Sequence, residues 1–443
     1  MASMVLSQYR FIFLVSTLCL LVCLTVTGAF ASQLPPYLGR VTTTSALLNI
    51  VPSGSADQYK VVYGSKAEAG AAAWRHTASV TTASRSPITI QLTDLKPDTV
   101  YQYRLMVRRT DQETFSSLGS YQFRSQRVSP GPFSFALFSD AHITAGRDER
   151  IQKLSEISAS ISARKPEFVA MLGDNIQTFS SHGGPMENKE YGPYLYSRYR
   201  YGLGDLPANV PSYFVLGNWE GENGWHPEKM RTWARESRMD YIPNPLPDSY
   251  LQGGGKHSDY YAFSWGDLLC IVLNVTGYTE TDHAIGSRVG AYDDWTLGAE
   301  QKSWLLKTLK GAKENIKAIF IHHTVGGGSP DDLNARYGRG GGHSALVGEQ
   351  ALLHQWMQEY KVQALFYGHD HVMTDIAVDG IHYVCVGSAG APWKFTTQET
   401  GYKNYWSDYG FTWVDVRENG MDISFVASDN KVLHQYSIPA QSQ

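Results

Sequence analysis

Residues 133–142 read FSFALFSDAH, an apolar run from Phe133 to Phe138 followed at once by Asp140 and His142. A short, nearly continuous apolar run of this length suits a strand buried on both faces, as in a parallel sheet. An acid and an imidazole just past a strand form, taken alone, an ordinary turn. The same punctuation returns four more times along the chain. FVAML is followed by Gly173, Asp174 and Asn175, and YFVL by Gly217, Asn218, Trp219 and Glu220. AIFI is followed by His322 and His323, and ALFY by Gly368, His369, Asp370 and His371. In open α/β sheets the ligand site lies outside the carboxyl ends of the strands. Donor groups at five strand ends exceed what turn capping requires.

The intervening segments complete the α/β pattern. Ile151, Leu154, Ile157 and Ile161 recur at helical spacing between Arg147 and Lys165, and Pro166 stops the helix. Glu300–Leu309 and Glu349–Tyr360 read as further helices. Strands are expected over Phe133–Phe138, Phe168–Leu172, Tyr213–Leu216, Leu268–Val275, Ala318–Ile321, Ala364–Tyr367 and Tyr383–Val386. Two stretches, Thr178–Asn209 and Gly221–Gly255, read as long loops, which in compact domains tend to be functional.

Upstream, the pattern is all-β. Tyr59–Tyr63 and Ile88–Leu92 alternate, and LTDLKPDTVYQY places Leu95, Pro97, Thr99 and Tyr101 two residues apart. That spacing resembles the tyrosine corner of fibronectin type III domains and predicts a small β-sandwich over residues 32–127. Residues 128–132, VSPGP, read as a linker to an α/β domain over 133–443. At the N-terminus, Arg10 precedes an apolar run over Phe11–Thr27, and Ala29-Phe30-Ala31 fits a cleavage site. Residues 1–31 are therefore expected to be a signal peptide, Ser32 the first mature residue, and the product secreted or periplasmic. No stable membrane insertion is expected after cleavage.

Composition narrows the function. The 443 residues are 42% hydrophobic and 18% charged, enough apolar material for a large core. A net charge of −4 offers no global basic face, so nucleic acid is not expected as a partner except as a substrate. Cys19 and Cys23 fall in the leader, leaving Cys270 and Cys385 in apolar runs, where small buried hydrophobes are a better reading than a disulfide. No cysteine pattern suits a metal, and no G-x-S-x-G elbow supports a serine hydrolase. Asp, His and Asn without thiolate suit a pair of Mn, Fe or Zn ions about 3.5–4 Å apart better than Ca or Mg.

The ordered set D-x-H, G-D-N, G-N-x-E, H-H and G-H-D-H resembles the calcineurin-type metallophosphoesterases over residues 133–443. The N-terminal sandwich, and Gln301 with Trp304 and Leu305 opening a helix, resemble the purple acid phosphatase branch. The resemblance implies an αββα sandwich holding two divalent metals. One metal would take Asp140, His142 and His371, and the other Asn218, His322 and His369, with Asp174 between them. It implies a phosphomonoesterase acting on small phosphate esters through a hydroxide held between the metals. Asn218 and His323 would steady the phosphoryl group, with Trp219, Glu220, Arg339 and His343 contacting substrate. A phosphodiesterase on cyclic nucleotides, lipid headgroups or nucleic acid ends is the alternative, and a catalytically decayed binding protein the rival from another class.

Two departures matter. Purple acid phosphatases carry a metal-bound Tyr three residues after the bridging Asp. Gln177 stands there instead, so no ferric-tyrosinate centre and no colour are expected. Trp219 stands where the family usually has His or Asp, and an indole is no proton donor at neutral pH. His323, His226 and His343 are the candidates for that role, His323 the favoured one. His343 lies in a Gly-rich loop with Arg336 and Arg339, either of which could reach a substrate phosphate.

Overall fold

The computed structural model describes residues 33–54, 56–66, 74–83, 85–178, 189–247, 253–280, 295–325, 348–391, 402 and 404–440. Residues 1–31, expected to be a signal peptide, and the Gly-rich loop with Arg336, Arg339 and His343 lie outside the described residues.

The N-terminal strands are β1 (Tyr37–Gly39), β2 (Ala46–Ile50), β3 (Gln58–Ser65), β4 (Arg75–His76), β5 (Val80–Thr81), β6 (Ile88–Leu92), β7 (Val100–Arg108) and β8 (Ser116–Arg124). One sheet runs β1-β2-β6; the other runs β4-β3-β7-β8, with β5 also on β3. Alternation decides which side chains form the core: Tyr101, Tyr103, Leu105 and Val107 of β7 point inward, and the residues between them face out. The expected tyrosine corner forms, with the Lys96 N–H donating to the Tyr101 hydroxyl at 2.8 Å.

Past residues 128–132 the chain builds β9 (Phe133–Phe138), α1 (Asp148–Arg164), β10 (Phe168–Leu172), α2 (Tyr191–Leu203), α3 (Leu206–Asn209), β11 (Ser212–Val215) and α4 (Glu228–Tyr241). Then follow β12 (Tyr261–Trp265), β13 (Leu268–Val272), α5 (Gly298–Gly311), β14 (Ile316–Phe320), α6 (Gly348–Glu359), β15 (Ala364–Tyr367), β16 (Met373–Val378) and β17 (Ile381–Val386). Three strands end the chain: β18 (Gly410–Arg417), β19 (Gly420–Ala427) and β20 (Val432–Pro439). They form two six-stranded sheets, β11-β10-β9-β18-β19-β20 and β12-β13-β14-β15-β17-β16. The strands that precede the donor clusters are parallel within each sheet. All their carboxyl ends therefore meet at one edge.

The sheets pack face to face. Phe135 meets Phe320 across the seam with ring centroids 6.1 Å apart, within a cluster that includes Leu137, Phe168, Ala318 and Phe366. Helices cover the outer faces: Leu154, Ile157 and Tyr199 pack on one sheet, Leu305, Leu309 and Met357 on the other. This is the expected αββα order.

Three features differ from the sequence expectations. The stretches read as long loops contain α2, α3 and α4. The packing faces of α2 and α4 are hidden in the sequence because each buries an arginine. Arg200 of α2 reaches into the N-terminal sandwich, donating to Asn49 and to the Pro35 carbonyl. Arg238 of α4 forms a buried two-point pair with Glu222. The last three strands, which carry no donor cluster, extend the first sheet. The N-terminal sandwich also shares its core with the rest of the chain, since Tyr37 of β1 packs in one cluster with Phe138, Met171 and Tyr199.

Cys270 and Cys385 are buried free thiols. They sit on β13 and β17, with β14 and β15 between them, so roughly 14 Å separates their strands. A disulfide needs Cα atoms within about 7 Å.

Candidate metal centre

The turns after the strands have an unusual backbone. Asp140, His142, Asp174, His369 and His371 all lie at positive φ, between 47° and 73°. For a residue with a Cβ that conformation costs roughly 1–2 kcal/mol, and such strain concentrates at functional sites. The left-handed step turns the chain sharply at the sheet edge. Glycines permit the crowding that follows. A Cβ on Gly217 would stand 2.3 Å from the Asp174 amide and 2.3 Å from its carboxylate. One on Gly368 would stand 1.9 Å from the Ser139 hydroxyl.

These turns gather six side chains into two buried groups: Asp140, His142 and His371, and Asp174, His322 and His369. Within each group the donor atoms lie within 4.8 Å of one another. Asp140 Oδ1 is 3.2 Å from His371 Nε2 and 3.5 Å from His142 Nε2. Asp174 Oδ2 is 3.1 Å from His322 Nε2 and 3.4 Å from His142 Nε2, so it faces both groups. Asn218 Oδ1 is 3.2 Å from His322 Nε2, and His369 Nδ1 is 3.3 Å from the same nitrogen.

Each carboxylate divides its two oxygens. Asp140 Oδ2 accepts the His369 N–H at 2.9 Å and Asp174 Oδ1 accepts the Trp219 N–H at 2.8 Å. Their other oxygens, Asp140 Oδ1 and Asp174 Oδ2, are buried with no hydrogen-bond partner, as is His142 Nε2. Buried polar atoms are rarely left so. Ligands about 2.1 Å from one ion and 90–109° apart are about 3.0–3.4 Å from each other. The observed spacings match that geometry, so the residues present fit a pair of metal ions. His322 is oriented as a ligand must be, because its Nδ1–H donates to the Leu172 carbonyl at 2.7 Å and leaves Nε2 toward Asp174.

The electrostatics follow from burial and pairing. Burial pushes Asp174 up, but His322 beside it outweighs this and holds its carboxyl below the usual range. Burial lowers His322, yet Asp174 raises it further, to about 9. His142 lacks so strong a partner, and burial brings it down to about 4.

Glu220, expected at the substrate, is turned inward. It is fully buried, and its oxygens accept the N–H groups of Asn175 at 2.7 Å, Gly217 at 2.7 Å and Asp174 at 3.1 Å. It braces the two turns that carry Asp174 and Asn218. Trp219 stands half-buried, its ring 5.7 Å from that of His142. His323 does not join either group. Its ring stacks on Trp295 at 3.9 Å, lies 4.4 Å from the His369 ring, and its Nδ1 is 2.7 Å from the Thr324 carbonyl.

Other residues around the site carry no motif. Tyr199 donates to Asn175 Oδ1 at 3.0 Å, and Arg150 donates to the His142 carbonyl at 2.8 Å and to Gln177 at 3.2 Å. Trp295 lies far from any cluster in sequence. Arg150, in the first turn of the helix that follows Asp140-x-His142, was within reach of a positional argument. Tyr199 and Trp295 were not.

Comparison with known proteins bears on the family and the fold. The family model for calcineurin-like phosphoesterases matches residues 133–373. No curated protein matches the sequence. Among solved structures, purple acid phosphatase PPD1 from yellow lupin (Lupinus luteus) seeds is similar at 16% identity with a TM-score of 0.67, covering 92% of this chain and 74% of that one. A structure of PhoD is similar at 13% identity with a TM-score of 0.69, covering 93% of this chain and 94% of that one.

Proposed function

The chain belongs to the calcineurin-like phosphoesterases, a metal-dependent phosphoester hydrolase with a dinuclear centre, and from that premise we propose that it is a phosphomonoesterase for small phosphate esters acting outside the cytoplasm. The observation that carries the reading is Asp174, whose buried Oδ2 faces His142 of one donor group at 3.4 Å and His322 of the other at 3.1 Å. In this reading Asp140, His142 and His371 hold one ion and Asn218, His322 and His369 the second, with Asp174 between them. The ions are Mn, Fe or Zn, by the nitrogen and oxygen donor set.

When bound, the ions activate water and polarise the phosphoryl oxygens. The chain's own residues do the rest. Backbone N–H groups fix one oxygen of Asp140 and of Asp174, so neither carboxylate reorients during turnover. Asn218 and His323 steady the phosphoryl group, and His323, held by Trp295 and the Thr324 carbonyl, supplies the proton to the leaving oxygen. Extracytoplasmic action rests on the leader-like residues 1–31. Among the described residues no helix is long and apolar enough to cross a membrane. Trp219 gives the rival reading of a catalytically decayed binding protein its support, since an indole beside His142 is no proton donor for a leaving oxygen.

The test is an assay with Mn, Fe and Zn added separately, comparing aryl monoesters with aryl diesters, on the wild type and Asp174→Asn. In that variant the Trp219 N–H would fix the oxygen of the new side-chain amide and turn its NH2 toward the cations. Loss of metal and of nearly all turnover is expected. Wild-type turnover in Asp174→Asn would remove the site assignment, and preference for diesters would remove the monoester reading.

A further inference from the structure

A single rigid loop carries Asn218 and two large aromatic side chains. Trp219 and Trp225 are both half-buried. The loop is pinned from within at several points. Glu222 pairs with the fully buried Arg238 of α4. Asn223 Nδ2 donates to the Asn218 carbonyl at 2.6 Å, and the Gly224 N–H donates to the Thr276 carbonyl at 2.9 Å. A Cβ at Gly224 would stand 2.3 Å from the Thr279 carbonyl, so the loop lies hard against its neighbour.

One indole stands beside a donor group, and the other reaches the second group through an intervening ring. Trp219 packs against His142 of the first group. Trp225 meets Trp295 edge to face at 5.5 Å, and the Trp295 ring lies 6.2 Å from that of His369 in the second group. Phosphate chemistry needs neither ring, since neither can ligate a metal or hold a phosphoryl oxygen by charge. Half-exposed indoles held at fixed positions beside a polar centre are what recognition of a flat ring requires.

We propose that Trp219 and Trp225 form the subsite for the organic group of the ester, and that this group is a planar aromatic or heteroaromatic ring. The proposal rests on the phosphoesterase reading above and extends it to the substrate class. One ring-on-ring contact favours such a group over a saturated one of equal size by roughly three- to tenfold.

The experiment uses the Mn-loaded full chain and two non-hydrolysable competitors, phenylphosphonate and cyclohexylphosphonate, against turnover of a chromogenic phosphoester, with inorganic phosphate as the reference for the metal end. Phenylphosphonate should inhibit roughly three- to tenfold more tightly. That ratio should fall toward one in Trp219→Leu/Trp225→Leu and persist when both positions are Phe, which guards against a fold defect in the leucine variant. Adenosine 5′-monophosphate binding more tightly than phenylphosphonate identifies the ring as a nucleobase, and weaker binding identifies a simple aryl group. Equal inhibition by the two phosphonates, or a ratio unchanged in the double leucine variant, overturns the proposal while the phosphoesterase reading stands. Absence of turnover, with no binding of phosphate or either phosphonate, brings down both.

Discussion

Replacing Glu220 with Ala tests how the centre is held open. The carboxylate accepts three backbone N–H groups, from Asp174, Asn175 and Gly217, in a place with no solvent access. Each buried donor left without a partner costs about 1–3 kcal/mol. Water entering the vacated space can satisfy some of them, so a loss of about 3–5 kcal/mol is expected, a large part of the roughly 5–15 kcal/mol that typically holds a folded protein. The same change frees the turn that keeps Asp174 at φ 51°, so metal affinity should fall by about 10–100-fold. Glu220→Gln keeps one acceptor, enough for the Asp174 and Gly217 N–H groups that share Oε2, and should fall between Ala and wild type. Urea unfolding of the metal-free protein measures the first quantity and titration with Mn the second. A Glu220→Ala variant within about 1 kcal/mol of wild type, with unchanged metal affinity, would refute the bracing role.

Further outcomes follow from the same geometry. In the metal-free protein His322 carries its proton up to about pH 9, because Asp174 outweighs burial, so metal uptake at neutral pH must release that proton. Calorimetry in buffers of different ionisation heat should show it, with affinity falling as pH falls, and heats independent of buffer would contradict the assignment. Since its folded pKa lies above the ordinary 6.5, the stability His322 contributes to the metal-free chain is complete below pH 6.5 and is lost as pH rises through about 9. Gly217→Ala should abolish metal binding while leaving most secondary structure, because its Cβ would collide with the Asp174 carboxylate; circular dichroism with metal analysis checks this, and a variant with full metal content would contradict it. Gln177 stands three residues after Asp174, where the resemblance to purple acid phosphatases would put a metal-bound Tyr, and Arg150 donates to it, so the iron-loaded protein should lack an intense visible band.

What the sequence disclosed was governed by where polarity breaks an apolar run. Phe133–Phe138 ends at Asp140 and Ala364–Tyr367 ends at His369, and in both cases the observed strand has the expected bounds. Parallel pairing then forces such breaks to one edge, which is why the donor set was legible without coordinates. Helices α2 and α4 were not legible, because buried Arg200 and Arg238 read as solvent-facing charges until their partners are known. In α4 the signal was present but diluted. Met230, Trp233, Ala234, Ser237, Arg238 and Tyr241 keep helical spacing and are all buried, with charge between them. Glu220 shows a different limit. Its place after a strand was correctly read as special, but spacing does not tell whether a carboxylate turns toward a ligand or toward its own backbone.

That distinction orders the whole centre. Asp140 and Asp174 each give one oxygen to a backbone N–H and hold the other without a partner, whereas Glu220 gives both oxygens to backbone. The donors come from across the molecule. The His369 N–H that fixes Asp140 belongs to the second sheet, and the Leu172 carbonyl that orients His322 belongs to the first. Neither sheet alone could present a competent ligand set, because each supplies the hydrogen bonds that aim the other's side chains. The small residues at the seam, Gly173 against the His322 ring and Gly368 against Ser139, let the two edges come close enough for that exchange. Metal affinity is therefore a measure of sheet packing as well as of ligand identity: a change at the seam that shifts one sheet by a fraction of an ångström misdirects donors in both groups while removing none of them.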